Sequence, residues 1–168
     1  SLVNVDIIQN DTIICEGDSL DLYISSLESL AEIPGFTYGG FFNGSHYYLS
    51  INTDSWENAS AICIANGGHL VTISNEDENN YVYSLIDSLQ IGVWLDLYQN
   101  INSPNYSEPA GGWEWSTGEI LNYTNWYPPN EPNNATVNSL GFENHAVMQW
   151  FGSYWNDEWG TNTDFYFY

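Results

Sequence analysis

Side chains that can supply oxygen ligands are concentrated in residues 125–157. Three short segments carry them: Glu131-Pro132-Asn133, Glu143-Asn144-His145 and Trp155-Asn156-Asp157. Carboxylate and amide oxygens suit Ca²⁺, because this ion takes six to eight oxygen ligands in a flexible geometry. Zinc or copper would favour His or Cys ligands. We therefore predict a calcium site whose ligands are Glu131, Asn133, Glu143, Asn156 and Asp157.

Pro132 bears on how two of these ligands are arranged. Cis peptide bonds are essentially confined to bonds that precede proline. A cis bond between Glu131 and Pro132 would turn the side chains of Glu131 and Asn133 to the same side. The alternative is an acidic turn that binds no metal.

The order of these segments resembles the sugar-binding calcium site of C-type lectin domains. Either Glu131-Pro132-Asn133 or Trp155-Asn156-Asp157 alone would be weak evidence in a chain rich in Asn and Glu, whereas both, with Glu143 between them, form a specific signature. The resemblance covers about residues 36–168 and implies an α+β, C-type lectin-like fold, with two helices flanking small antiparallel sheets and a long calcium-binding loop. Residues 56–71 resemble the family's first helix and the strand that follows it. Residues 92–97 resemble its central strand, and residues 113–118 and 122–126 resemble the run that leads into its long loop.

The resemblance also implies how a sugar would bind. The protein would hold one calcium ion and leave coordination positions for two neighbouring sugar hydroxyls. Amide NH₂ groups donate and carboxylate oxygens accept, so each hydroxyl would be satisfied in both roles. Glu-Pro-Asn, in place of Gln-Pro-Asp, looks like the arrangement for mannose-, glucose- or fucose-type sugars. The ligands that would also hydrogen-bond the sugar are Glu131, Asn133, Glu143 and Asn156, while Asp157 would add its carboxylate to the ion.

The charge of the chain is one-sided, with 22 Asp and Glu residues, no Lys or Arg, and a formal net charge of −22. Nucleic acid is disfavoured as a partner, because neutralising phosphates requires cationic side chains. Anionic membrane surfaces are disfavoured for the same reason, and no apolar run reaches the length needed for membrane insertion. A surface adapted to salty surroundings is an alternative source of the charge bias.

Residues 1–33 are predicted to form an N-terminal β segment and linker, and residues 34–168 the lectin-like domain. Residues 12–22 are similar to the opening of immunoglobulin-like repeats in long secreted bacterial adhesins. The alternative is that these strands extend the main domain. No signal peptide is evident, which is typical of a mature protein or of a piece of a longer one. We therefore expect one module of a larger extracellular adhesin, secreted or at the cell surface, whose partners are glycans.

Sequence signals also predict the first elements of the domain. Asn43-Gly44 between aromatic-rich runs predicts a hairpin with a type I′ turn. A helix should begin at Thr53 or Asp54, with Glu57 completing a capping box, and should end at Gly67-Gly68. The residues expected on its buried face are Trp56, Ala59, Ile62 (or Cys63) and Ala65.

A second helix should begin at Ser74, which would serve as its N-cap. The acidic cluster at residues 75–78 suits the positive end of the helix dipole, and a second calcium site there is the less favoured alternative. Its expected apolar face is Tyr81, Val82, Leu85, Ile86 and Leu89. Strands are expected at residues 69–73, 92–97, 145–151, 154–158 and 165–168.

The departures from the family pattern concern cysteine and the auxiliary calcium site. The family normally has two disulfides, whereas this chain has only Cys15 and Cys63, whose pairing is left open. Cys63 keeps its helix position, but an aromatic residue, 167 or 168, stands at its usual partner position. His145 and Gly160 stand at or near the positions of the second pair. Asp96 replaces a central-strand glycine, and Asn134 and Asn144 replace auxiliary-site Asp residues, which leaves the number of calcium ions open.

Three function classes are compared. A calcium-dependent sugar-binding module is favoured over a lectin-fold structural, protein-binding or ice-binding module in which calcium only braces the loop. An enzyme, such as a glycoside hydrolase with two carboxylates, is disfavoured, because the carboxylates are better explained as metal ligands and no nucleophile motif is present. Trp126 and Trp155 are predicted to be core residues, and His46, His69 and His145 to be strand residues rather than ligands.

Overall fold

The computed structural model describes residues 32–135, 142–149 and 152–168. Helices and strands in these ranges form the α+β arrangement that the sequence predicts. Cys15 and the predicted N-terminal β segment lie outside the described residues, apart from the linker positions 32 and 33. The helices are α1 (Trp56–Ala65) and α2 (Glu76–Ile86), and the strands are β1 (Phe36–Phe42), β2 (Ser45–Ser50), β3 (Val93–Gln99), β4 (Trp113–Trp115), β5 (His145–Met148), β6 (Trp155–Glu158) and β7 (Tyr166–Phe167).

Strands β1 and β2 form a two-stranded antiparallel hairpin. Asn43 and Gly44 connect them with φ values of 47° and 93°, as predicted for a type I′ turn. The hairpin packs on α2, where the rings of Phe42 and Tyr81 stack with their centroids 4.7 Å apart. A side chain at Gly40 would meet the Tyr81 hydroxyl, so glycine permits this close approach.

The larger sheet has the strand order β4-β3-β5-β6, and β7 pairs with β3 in parallel. Strand β3 is buried along most of its length and forms the centre of the core. The antiparallel pairing of β5 with β6 places Ala146 opposite Asp157 and Val147 opposite Asn156. Two of the predicted ligands therefore lie on a strand whose position is determined by core packing. The predicted strand at residues 69–73 is reduced to one parallel bridge between Val71 and Leu95.

Helix α1 differs from its prediction at its start. Asp54 accepts a hydrogen bond from the Ser55 backbone N–H at 2.8 Å, and Ser55 at the N-cap makes no side-chain cap bond. The predicted capping box with Glu57 is therefore not formed. The end of the helix is as predicted, because the N–H of Gly68 donates to the carbonyl of Cys63 at 3.0 Å, a bond typical of a glycine C-cap.

The buried face of α1 is narrower than predicted. Trp56, Ala59 and Cys63 are buried, whereas Ile62 and Ala65 are exposed. Ser60 is buried instead, because residues three and four positions apart share one helix face. The prediction for Ile62 and Ala65 was wrong, and the alternative at Cys63 is confirmed.

Helix α2 begins one residue later than predicted. Asn75, not Ser74, is its N-cap, and its side chain accepts from the Glu78 N–H at 3.0 Å. Glu78 in turn accepts from the backbone N–H and hydroxyl of Ser74 at 2.8 and 2.6 Å. The acidic cluster is therefore the capped first turn that was favoured over a second metal site. Val82 is buried as predicted, but Leu89 is 53% exposed in a 3₁₀ turn after the helix.

Tryptophans fill the core and satisfy their indole N–H groups within it. Trp155 is fully buried and donates to the Asn79 side chain at 2.8 Å. Trp94 is also fully buried and donates to the backbone carbonyl of Asp54 at 2.8 Å. Trp126 is half-buried, and its ring centroid lies 5.8 Å from that of Trp155. The predicted core roles of Trp126 and Trp155 agree with this packing.

Asp96, which replaces a glycine of the lectin-like pattern, is fully buried. The Ser116 hydroxyl and the Thr117 N–H donate to its two carboxylate oxygens at 2.7 and 3.1 Å. Burial raises the pKa of Asp96, and these hydrogen bonds lower it in part. Asp96 therefore links β3 to the residues that follow β4.

Non-covalent contacts join the residues at the expected disulfide positions. The Cys63 thiol donates to the Tyr168 carbonyl, with a sulfur-to-oxygen distance of 3.6 Å, and burial raises its pKa to about 12. The His145 ring packs so closely on Gly160 that a Cβ there would overlap it. It also lies 4.6 Å from the Trp56 ring, centroid to centroid. Packing thus takes the place that the resemblance assigns to covalent bonds.

Candidate calcium and sugar site

The base of the long loop is held against the start of β6. The Tyr127 N–H donates to the Trp155 carbonyl at 2.9 Å, and the Trp155 N–H donates to the Asn125 carbonyl at 2.8 Å. The Tyr127 carbonyl then accepts from the Glu131 N–H at 2.9 Å. These bonds bring the turn that carries Glu131 next to the strand that carries Asn156 and Asp157.

Glu131, Pro132 and Asn133 form a compact acidic turn. The bond between Glu131 and Pro132 is cis, which agrees with the geometry considered from the sequence. The Asn133 side-chain NH₂ donates to a Glu131 carboxylate oxygen at 2.7 Å. Glu131 is half-buried and Asn133 is exposed, so both predicted ligands lie together at the surface of the loop.

Asp157 joins this turn to β6. Its carboxyl group is fully buried and accepts from the Asn133 N–H at 3.0 and 3.1 Å. It also accepts from the Asn134 N–H at 2.7 Å. Asn156 precedes it on β6, half-buried, and its side-chain NH₂ donates to the Asp157 carbonyl at 2.5 Å.

Glu143 and Asn134 close the other side of the loop. Glu143 is only 6% exposed and accepts from the Ala135 N–H at 2.5 Å. The Glu143 N–H donates to the Asn134 side-chain oxygen at 3.0 Å. This reciprocal pairing holds Glu143 two residues before β5, the strand that pairs with β6 and thus lies next to Asp157.

The carboxyl groups of the site repel one another in a partly desolvated environment. Burial raises the pKa of Glu131 to about 7, and hydrogen bonding and like charge from Asp157, with the charge of Glu143, add to the effect. Burial also raises the pKa of Glu143 to about 7, together with the charges of Asp157 and Glu158. Because the chain contains no Lys or Arg, no cationic side chain other than His can offset this charge.

The site fits calcium by donor chemistry more clearly than by geometry. Within the described ranges, no group of three or more His, Cys, Asp or Glu side chains is drawn together as a metal site. The carboxylates of Glu131, Glu143 and Asp157 instead bond to Asn133 and to backbone N–H groups of the loop. Their oxygens and those of two Asn side chains are nevertheless hard donors of the kind that Ca²⁺ takes. A cation would therefore have to replace some of these hydrogen bonds.

The histidines take no part in the site. His46 lies in β2 and His145 in β5, as predicted, whereas His69 lies outside any strand. Burial lowers the pKa of His145 to about 4, so its ring is neutral at neutral pH. Neutral His145 adds no positive charge to balance the carboxylates.

Comparison with known proteins places the chain in a family. Residues 52–164 match the family model described as the lectin C-type domain. The chain belongs to the C-type lectin domain family. Members of this family are binding modules rather than enzymes, and they typically bind Ca²⁺. Among the described residues, no helix of this C-type lectin domain has the length and apolar character needed to span a membrane.

One curated relative and two solved structures show the breadth of the similarity. The human secretory phospholipase A2 receptor is 36% identical over 74 residues, which cover 44% of this chain but 5% of that receptor. The cow CD23 carbohydrate-recognition domain, solved in the presence of GlcNAc2Man3 oligosaccharide, has a TM-score of 0.63 at 23% identity, over 82% of this chain and 92% of that one. A calcium-independent type II antifreeze protein has a TM-score of 0.56 at 22% identity, over 84% and 93%. These structures confirm the α+β C-type lectin fold.

Sequence reasoning missed the structural role of Asn134. This residue was considered only for an auxiliary calcium site, yet it donates to Asp157 and accepts from Glu143. Its φ of 50° is positive, a conformation that Asn adopts more readily than most residues. An Asn directly after Glu-Pro-Asn was the only signal that could have indicated this role.

Proposed function

We propose that the domain binds sugars through one calcium ion. The observation that carries this proposal is the electrostatic repulsion that Glu131 and Glu143 each experience from Asp157, in a chain without Lys or Arg. Repulsion among these groups would be relieved by a divalent cation. The ligands of the ion would be Glu131, Asn133, Glu143, Asn156 and Asp157.

The roles proposed for these residues are those that the resemblance to C-type lectin sites implies. A bound calcium ion would supply coordination positions for two adjacent sugar hydroxyls. Glu131 and Glu143 would accept hydrogen bonds from those hydroxyls, and the NH₂ groups of Asn133 and Asn156 would donate to them. Asp157 is fully buried and bonded to the loop backbone, so it would hold the ion rather than meet the sugar.

The ligand class proposed from the Glu-Pro-Asn segment is sugars of the mannose, glucose or fucose type. The CD23 domain with a mannose-containing oligosaccharide has the same fold, which is compatible with this class but does not select it. Affinity for one sugar should be weak, on the order of millimolar, because few contacts are made. Useful adhesion would then depend on several copies acting together.

We further propose that the domain, residues 34–168, is one module of a larger extracellular adhesin, secreted or at the cell surface. The phospholipase A2 receptor shows that a related segment can form a small part of a long chain. A strongly acidic, Lys- and Arg-free surface suits glycan partners better than nucleic acid or anionic lipid.

A calorimetric titration tests the proposal. Chelator-stripped protein is titrated with Ca²⁺, and the titration is repeated with mannose present. We expect one-site binding that tightens with mannose, because linkage between two ligands is reciprocal. Weak, non-saturating heats would show that the turn is an acidic turn without a metal site.

A calcium-braced or calcium-independent interaction module is the second candidate. Bonds from Asn133 and Asn134 to Asp157, and from Ala135 to Glu143, already hold the loop without an ion. A protein of this fold is described as calcium-independent and antifreeze. Saturable calcium binding that no sugar changes would favour a structural, protein-binding or ice-binding role.

A further inference from the structure

A cavity of about 300 Å³ lies beside the β1–β2 hairpin, the end of α1 and the start of α2. This volume is at the lower end of small-ligand sites. None of its lining residues belongs to the proposed calcium site, so it is a separate feature of the domain. The lining residues that matter for its chemistry are Phe36, Tyr47, Tyr48, His69, Glu78 and Tyr168.

Phe36, Tyr47, Tyr48 and Tyr168 are among the residues that line the cavity, and a further aromatic ring lies beside it at the surface. Tyr47 and Tyr168 are each 6% exposed, and Tyr48 is half-buried. Outside the cavity, the Tyr38 ring lies 5.2 Å from the Tyr48 ring, centroid to centroid, and is 38% exposed. Aromatic faces attract cations through their quadrupoles, most strongly where water is excluded.

One carboxylate stands in this aromatic wall. Glu78 accepts from the Tyr47 hydroxyl at 2.7 Å through one oxygen, and from Ser74 through the other. These bonds hold the group in place, and its oxygens retain capacity to accept further contacts. Because the chain has no Lys or Arg, no side chain of that type can neutralise it. The cavity therefore combines apolar rings with a fixed negative charge.

We propose that this cavity binds a small ligand that carries a quaternary ammonium group. Such a group is weakly hydrated, so it can leave water for an aromatic wall, whereas a primary ammonium is compact and strongly hydrated. The Glu78 carboxylate complements its charge, and Tyr48 and Tyr47 its methyl surface. The net charge of −22 also raises the local concentration of any cation at the surface.

Choline and 3,3-dimethyl-1-butanol form a matched pair of probes, because the second has the same shape without the charge. Each is titrated into the full chain in about 0.15 M NaCl, which screens distant charges, and binding is followed by calorimetry. We expect saturable, roughly millimolar binding of choline and at least about tenfold weaker binding of the neutral alcohol. Equal affinity for the two probes would overturn the proposal.

Variants separate the cavity from the general negative charge of the chain. Glu78→Gln and Tyr48→Leu should each weaken choline binding by about fivefold or more. Asp77→Asn is the control, since it removes one charge from the exposed side of the same helical turn, and it should change affinity by less than about twofold. An equal loss of choline affinity in Glu78→Gln and Asp77→Asn would show that cations accumulate non-specifically, which would contradict the proposal.

Thermal melts confirm that each variant is folded. Glu78→Gln weakens the hydrogen bonds from Ser74 to residue 78. If this variant does not fold, the choline affinity of Tyr48→Leu tests the proposal. Unchanged choline affinity in folded Tyr48→Leu would contradict the aromatic contribution. The titrations are run with and without Ca²⁺, and choline binding should be the same in both, which keeps this result independent of the sugar proposal.

Discussion

At the scale of single residues, the buried carboxyl group of Asp157 holds residues 133 and 134 against β6. Three hydrogen bonds from the N–H groups of Asn133 and Asn134 converge on it. Hydrogen bonds to a carboxylate are shorter and stronger than neutral ones. Asp157 is therefore an anchor for the loop, and in the proposed site the more exposed Glu131 and Asn133 would determine which sugar binds.

Exchanging the acid and amide of this turn should change sugar preference. Glu131→Gln with Asn133→Asp reverses which side donates and which accepts hydrogen bonds. We expect the ratio of mannose to galactose affinity to fall by about tenfold or more, a change of roughly 1.4 kcal/mol. A glycan array with calcium measures it.

The same chemical exchange on an exposed loop, Glu119→Gln with Asn122→Asp, is the matched control and should leave the array unchanged. An unaltered pattern in the Glu131 and Asn133 double variant would count against the proposed ligand roles. A loss of all binding would instead be checked by calcium titration, since it would show that the metal had been lost.

At the scale of elements, the sequence predicted turns and helix ends correctly where the backbone conformation depends on a few neighbouring residues. The Asn43-Gly44 turn and the glycine end of α1 follow from backbone conformations that few other residues allow. The exposure of Ile62 could not be predicted in this way, because which helix face meets the sheet depends on distant packing. Asn75 rather than Ser74 caps α2, since both residue types are good caps and tertiary contacts choose between them.

The contact between His145 and Gly160 should be essential to the packing of β5 against the start of α1. Gly160→Ala places a Cβ within the His145 ring. We expect the free energy of unfolding to fall by about 1–3 kcal/mol, as for other overpacked sites. Urea unfolding followed by tryptophan fluorescence measures the loss.

Gly68→Ala is the control for this substitution, because its Cβ would meet only the Cys63 carbonyl at 3.9 Å. Its effect should be within about 1 kcal/mol. Adding His145→Ala to Gly160→Ala removes the colliding ring and should recover part of the loss. Similar destabilisation in the Gly68 and Gly160 variants would contradict the packing account.

At the scale of the whole molecule, the sequence predicted the fold, whereas the hydrogen bonds within the candidate site could not be predicted from it. The residue types and their order predict a lectin-like site, because Glu131, Asn156 and Asp157 stand in short recognisable segments. Their hydrogen bonds to one another, and the place of Asn134 between Asp157 and Glu143, depend on how the loop folds back on β6. The cavity around Glu78 could not be predicted from the sequence either, since its wall comes from elements far apart in the chain.

The acidic residues of the loop should make the stability of the domain depend on pH, and differently with and without calcium. In the metal-free fold, the pKa values of Glu131 and Glu143 are raised from 4.5 to about 7. The neutral carboxyl groups therefore favour the fold at low pH, and this stabilisation is lost as pH rises from about 4.5 through 7. Chelator-stripped protein should melt at a lower temperature at pH 8 than at pH 5, by roughly 3 °C for about 1 kcal/mol after solvent screening.

Calcium should remove or reverse this difference, because in the proposed site it would bind the ionised carboxylates and stabilise the fold that holds them. Differential scanning fluorimetry at both pH values, with chelator or with calcium, gives the four melting temperatures needed. The Glu131→Gln and Glu143→Gln double variant is the control, since general repulsion among the other acidic residues remains in it. A pH dependence as large in this variant as in the natural chain would assign the effect to the overall charge and not to the loop.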